Sequence, residues 1–291
     1  RSDPADGMIR PVAAAWDELG VPYERLGADE VKRRWPVIEV SEFTVALYEP
    51  NAGVVRARRA CQSVADAFER EGGELRIARA ELARTASSAN PRVLVDRQPF
   101  PADQYVFACG PWLAKVLPDV MANRLRLPLG HVFYYATPPG DRRWEWPNLP
   151  SYNVPGCTGW PALPPDNRGF RVRTGGRPPG DPDESDRWIP PEFHDRPRDV
   201  LRKYFPELAT AVVSETRACH YESASGDSFI IDRHPAHPRV WIAGGGSAEA
   251  FKQGPVLGDY IARRVLGQDT QPELAEEFRI PEQTYEVPPG A

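Results

Sequence analysis

The segment RVWIAGGGSAEAFKQGPVLGDYIARRVLG, residues 239–267, constrains this chain most. Its first five residues are a β-branched and aromatic run that reads as a strand. Gly244, Gly245, Gly246 and Ser247 follow at once, and a helix is predicted from about Gly254 to Leu266. A strand that turns directly into a helix through residues lacking Cβ atoms belongs to an α/β layer. Such a turn also leaves backbone N–H groups near a helix start, where an anion is favoured. The spacing G-G-G-S does not match G-x-G-x-x-G, and that fingerprint further requires an acidic residue roughly 20 positions on within a βαβ unit. Taken alone, the segment reads as a tight strand-to-helix turn with no ligand.

Helices are predicted over 8–20, where Pro11 is expected to interrupt, and over 28–35, 56–71 and 195–205. In the third of these, Ala60, Val64, Ala67 and Phe68 share one face at helical spacing. Strands are predicted over 44–48, 74–82, 92–96, 104–108, 131–136, 169–173, 228–232 and 239–243. Strands and helices mix without strict alternation. This favours an α/β nucleotide-binding part interleaved with an α+β part. The 33 prolines cluster at 128–165 and 178–206, where long ordered loops are expected.

Composition excludes several classes. A net charge of −5 argues against nucleic acid or an anionic membrane surface as the main partner. No apolar run approaches the roughly 20 residues of a membrane span. Cys61, Cys109, Cys157 and Cys219 lie far apart, and with five histidines they form no zinc-type spacing, so no metal site is expected. Reduced thiols in a cytoplasmic protein are the plain expectation.

Four segments occur in order: EPNAGVV (49–55), YVFACGPW (105–112), TRACHYESASGDSFIIDRHP (216–235) and AGGGSAEAFKQGPVLGDYI (243–261). Together with DEVKRRWP (29–36) and LPLGHVFYYATPPGD (127–141), they resemble the D-amino-acid-oxidase-like flavoproteins. Within these the chain is similar to the monomeric sarcosine oxidase and N-methyl-tryptophan oxidase family. The resemblance implies a Rossmann-like FAD-binding domain interleaved with a mixed-sheet substrate domain. The expected division is 1–48 substrate part, 49–126 FAD part, 127–222 substrate domain and 223–291 FAD part. It implies oxidation of an amino-acid or N-methyl amino-acid amine to an imine, with O₂ as acceptor.

The same resemblance implies site residues. Cys219, in Cys219-His220-Tyr221, stands where the family links its flavin covalently, and Tyr221 would face the substrate. Lys252 stands where the family pairs a lysine with the substrate carboxylate. Gly244, Gly245, Gly246 and Ser247 would lie against one side of the flavin ring, and Ala108, Gly110 and Trp112 against the other. From the residues alone, Cys219 reads equally as a buried free thiol, Trp112 as core packing and Arg171 as an exposed strand charge.

Three departures stand out. The family's opening strand, G-x-G-x-x-G turn and ribose-binding acid have no counterpart here, so the FAD-binding domain is expected to be incomplete. Either another polypeptide supplies that segment, or the chain is a non-catalytic homologue acting in binding or assembly. Arg171 replaces the lysine that promotes reaction with O₂, which leaves an amine dehydrogenase with another acceptor as an alternative. Glu249, in Ala248-Glu249-Ala250, replaces a glycine-histidine-glycine pattern and sets a negative charge near the substrate amine.

Overall fold

The computed structural model describes residues 6–83, 92–166, 168–176, 180–226 and 228–285. In chain order the elements begin α1 (Asp6–Leu19), β1 (Glu24–Gly27), α2 (Ala28–Arg34), β2 (Val45–Tyr48) and α3 (Ala57–Arg70). Next come β3 (Ala80–Leu82), β4 (Val93–Val95), β5 (Gln98–Pro99), β6 (Tyr105–Phe107), α4 (Leu113–Val116) and α5 (Pro118–Met121). The middle of the chain holds β7 (Leu125–Arg126), β8 (Leu129–Tyr135), β9 (Tyr152–Val154), β10 (Cys157–Trp160), β11 (Phe170–Thr174) and α6 (Asp195–Tyr204). The last elements are β12 (Val213–His220), β13 (Ser223–Ala224), β14 (Ile230–His234), β15 (His237–Gly244), α7 (Ala250–Leu266) and α8 (Pro272–Glu277).

The chain divides into two compact, interleaved units. The first comprises Arg1–Val55, Leu129–Arg177 and Asp186–Cys219; the second comprises Arg56–Pro128, Pro178–Ser185 and His220–Ala291.

The first unit is built on a five-stranded sheet of order β12-β8-β11-β10-β9, with a separate β1-β2 pair. The pairs β8–β11, β11–β10 and β10–β9 are antiparallel. Phe133, Tyr135, Phe170 and Val172 project from one face into a core that holds Trp144, Leu201 and Phe205. Helix α6 meets this core because Pro197, Leu201 and Tyr204 fall on one stripe. β8 is buried along its whole length, so both faces of the sheet are covered there. The proline-rich stretch 128–165, expected to be loop, carries three strands because its prolines all fall outside them. Pro11 does not interrupt α1. It removes one N–H from the ladder, and the carbonyl its ring crowds belongs to Gly7, four positions back.

The second unit has its own core, centred on Phe107, Leu113, Met121, Ile230, Val240 and Ile242. Its three-stranded sheet has order β14-β15-β6, with β14 antiparallel and β6 parallel to β15. Helix α7 ends at Gly267, whose φ of 70° suits a left-handed cap. The apolar face expected of α3 exists but is not covered: Val64 and Phe68 are exposed and no residue of the helix is buried. Of the strand predicted over 74–82, only β3 forms, since Ile77 is fully exposed and the pairing with β4 begins at Ala80.

Candidate active site

Register, more than any single motif, assembles the site in the second unit. β6 and β15 are parallel, with Val240 opposite Tyr105 and Ile242 opposite Phe107. The turns that follow them, Ala108-Cys109-Gly110 and Gly244-Gly245-Gly246-Ser247, therefore leave the same end of the sheet side by side. Ligands of open α/β sheets bind at the carboxyl ends of parallel strands.

The first turn reverses at Gly110, whose φ is 52°, and enters a 3₁₀ turn over Gly110–Trp112. A Cβ added at Gly110 would meet nothing within 4 Å. Trp112 is exposed, and its indole N–H donates to Asp183 at 2.6 Å, so it is not the core residue its apolar ring alone would suggest. The second turn reverses at Gly245, with φ of 72°, and then carries Ser247 and Ala248 at 43° and 64°. Two successive non-glycine residues in the left-handed region are uncommon and cluster at functional sites. Side chains fill the space beside Gly244: a Cβ there would clash with Leu113 and lie 3.3 Å from a carboxylate oxygen of Glu222.

Glu222 is the residue that sequence reasoning missed. Its Oε1 accepts from the Gly246 N–H at 3.3 Å. Its Oε2 is shielded from solvent and has no hydrogen-bond partner. Burial pushes the carboxyl above its ordinary value, offset in part by the N–H groups of Gly246 and Gly245. The folded chain thus holds this proton more tightly than the unfolded chain does. The associated stability is present below the unfolded pKa and is lost as pH rises through the folded one. Glu222→Gln should therefore melt above the wild type at neutral pH, with the gap closing in acid. Thermal melts from about pH 3 to pH 8 check this; a gap independent of pH contradicts it.

Lys252 and Glu249 lie at the start of α7, on the surface, as an i,i+3 ion pair with side chains 70% and 52% exposed. No side chain caps α7, so its first N–H groups have no side-chain acceptor. Tyr221 is half-buried, and its N–H donates to the Pro128 carbonyl at 3.2 Å. Cys219, at the end of the first unit on β12, is an exposed free thiol rather than a buried one.

Arg171 belongs to the first unit. It is not an exposed strand charge: the residue is only 8% exposed. β11 sets it opposite Tyr134 on one side and Trp160 on the other. Its guanidinium carbon lies 3.7 Å from the centre of the Trp160 ring. Burial holds its pKa below the ordinary arginine value, and Arg173 acts in the same direction.

The family profile of FAD-dependent oxidoreductases matches residues 2–264. The chain belongs to this family. The FAD-dependent oxidoreductase is 29% identical over 269 residues to a monomeric sarcosine oxidase of Streptomyces avermitilis, covering 89% of this chain and 68% of the relative. It is 24% identical to an N-methyl-L-tryptophan oxidase of Yersinia pestis, covering 88% and 68%. Its fold matches that of a glycine oxidase from Geobacillus kaustophilus at a TM-score of 0.79 and 19% identity, covering 97% of this chain and 73% of that one. A fructosyl peptide oxidase from E. terrenum superposes at 0.83 and 15% identity, covering 97% and 72%. The oxidoreductase is thus related to the amine and amino-acid oxidases, with their α/β fold.

The turns of the second unit suit a flavin ring. Gly110 leaves open space beside an exposed indole, α7 starts uncapped, and a shielded carboxyl oxygen next to the glycine turn lacks a partner. Together these give an open, partly apolar surface beside a glycine turn and a helix start that no side chain caps.

Proposed function

We propose that this oxidoreductase oxidises the amine of an amino acid or N-methyl amino acid to the imine, with O₂ as the electron acceptor. The adjoining Gly110 and Gly244 turns at the carboxyl ends of parallel strands carry the reading. In this reading the second unit is the FAD-binding part, and the first, with its five-stranded sheet, is the substrate part. Bound flavin supplies the two-electron acceptor.

The chain's own residues do the rest. Trp112, Ala108 and Gly110 bound one side of the ring site; Gly244 to Ser247 and the uncapped start of α7 bound the other. The ion pair of Lys252 and Glu249 forms a charged rim, and Tyr221 would face the substrate. A nucleotide-binding segment supplied by a second chain would add at β6. That strand lies at the edge of its sheet and leaves Val106 exposed.

Titrating the purified chain with FAD, then adding N-methyl amino acids without oxygen, tests the function. Saturable binding and bleaching of the flavin colour on amine addition are expected; flavin that binds but is not bleached by any amine refutes it. An exposed thiol is accessible for covalent attachment, and we assign that role to Cys219. Acid-precipitated wild type should then keep its yellow colour, while Cys219→Ala should lose all acid-stable flavin. A colourless wild-type pellet sinks the covalent assignment and leaves the reaction class untouched.

A further inference from the structure

Two strands of the first unit present open edges to one cavity. β9 is the last strand of the five-stranded sheet, and β2 pairs only with β1. A cavity of about 580 Å³ is lined by every residue of 45–49 and every residue of 150–155. Side chains of a strand point alternately to its two faces. A cavity that meets every residue of a run therefore touches the strand along its edge, where the main chain is open. The turn after β9 fixes which groups are open there. Two residues, Pro155 and Gly156, join it to β10, with Val154 opposite Cys157. That closing pair exchanges hydrogen bonds, and alternation then turns the N–H and C=O of Asn153 away from β10. Asn153 is exposed at the middle of β9.

Open edges are commonly blunted by charged side chains, lysine above all. Val45-Ala46-Leu47-Tyr48 and Tyr152-Asn153-Val154 contain none. Pro150 and Pro155 stand just outside β9 and confine pairing to the stretch between them. The other walls are largely apolar, with Ile9, Val12 and Trp16 of α1 beside Trp35 and Phe205. Among the described residues the charged groups of the lining are Glu42 and Glu49, with no lysine or arginine.

We propose that these edges take up a β-strand from another polypeptide, an extended apolar segment with uncharged or basic flanks. The strand pairs with β9 at Asn153 and with the outer edge of β2. It thereby joins the β1–β2 pair, marginal by itself, to the five-stranded sheet. Apolar walls require apolar residues at successive positions, as in strands covered on both faces. The two carboxylates favour lysine or arginine at the flanks. This surface belongs to the first unit and is independent of the reaction proposed above.

The probes are capped heptapeptides with lysine then threonine at each end and three central residues drawn from Val, Ile, Leu and Phe. Calorimetric titration of the purified chain should find at least one that binds with a Kd below about 1 mM. Methylating its central backbone nitrogen deletes a donor and keeps every side chain, and should weaken binding roughly tenfold or more. Asn153→Pro removes the outward N–H while sparing the bonds to β10, and should weaken the peptide by a similar factor. It should melt within about 4 °C of the wild type. Asn153→Ala leaves the main chain intact and should change binding by less than about threefold. Bound peptide should slow hydrogen exchange at Asn153 and along β2.

No binding by any of the peptides at about 1 mM, binding indifferent to backbone methylation, or equal losses from Asn153→Pro and Asn153→Ala would each overturn the strand. A wild-type chain that is already a dimer, and that Asn153→Pro dissociates, would show a second copy on these edges and overturn it too. The methylated peptide tests the pairing even where Asn153→Pro fails to fold.

Discussion

Phe170→Ala is expected to cost the first unit about 3–5 kcal/mol. Phe170 is fully buried in β11 and touches aromatic rings on three sides. Tyr152 stacks on it at 5.3 Å with an interplanar angle of 8°, Trp144 meets it edge-on at 5.5 Å, and Phe205 lies at 4.7 Å. Large flat neighbours held in a sheet and a helix end collapse poorly into a vacated space, so the cavity term adds to the lost transfer energy. Domains are stable by only about 5–15 kcal/mol, so the first unit should lose much of its margin. Denaturant melts followed by tryptophan emission check this, with Phe68→Ala as the control. Phe68 sits on the uncovered face of α3 and its loss should fall within roughly 0.5 kcal/mol. Equal effects at the two positions would mean that the aromatic cluster is not what holds the first unit together.

The elements that were legible in the sequence carry a local apolar period. α6 is one, because its buried stripe recurs within ten residues. β8 is another, a run of apolar and aromatic residues that needs no alternation because it is buried on both sides. β12 was not legible, since its half-buried positions hold Glu215 and Arg217, and Glu215 pairs with both Arg217 and Arg168. Ion pairs there do the work that an apolar alternation would have announced. β10 was hidden for another reason: Gly159 and the adjacent Pro161 read as a break. The site divides along the same line. The two turns could be found as motifs, because each is contiguous. Their adjacency depends on the parallel register of β6 and β15. The row of Tyr134, Arg171 and Trp160 depends on two antiparallel registers across residues distant in sequence. Glu222 is invisible for a similar reason, since nothing in Tyr221-Glu222-Ser223 says that its carboxyl folds beneath Gly244.

Gly159→Ala tests how the core and the Arg171 row are joined. Gly159 lies in β10 between Val172 of β11 and Tyr152 of β9. The Tyr152 hydroxyl reaches across it and donates to the Arg171 carbonyl at 2.7 Å. A Cβ at Gly159 would clash with both that carbonyl and that hydroxyl, each under the 3.0 Å that real Cβ atoms respect. A glycine that usually weakens a strand is here what lets a tyrosine bridge it. Overpacking costs about 1–3 kcal/mol, and the broken bond leaves a shielded carbonyl that costs about 1–3 kcal/mol more. The expected loss is therefore about 2–6 kcal/mol, close to that of Phe170→Ala, although one methyl is added rather than a ring removed. Adding Tyr152→Phe should return part of it. That change deletes the clashing hydroxyl but leaves the clashes with the carbonyl and with the ring carbon Cζ, so the two substitutions should cost less together than their sum. Additive losses would show that the hydroxyl bridge contributes nothing to holding β11.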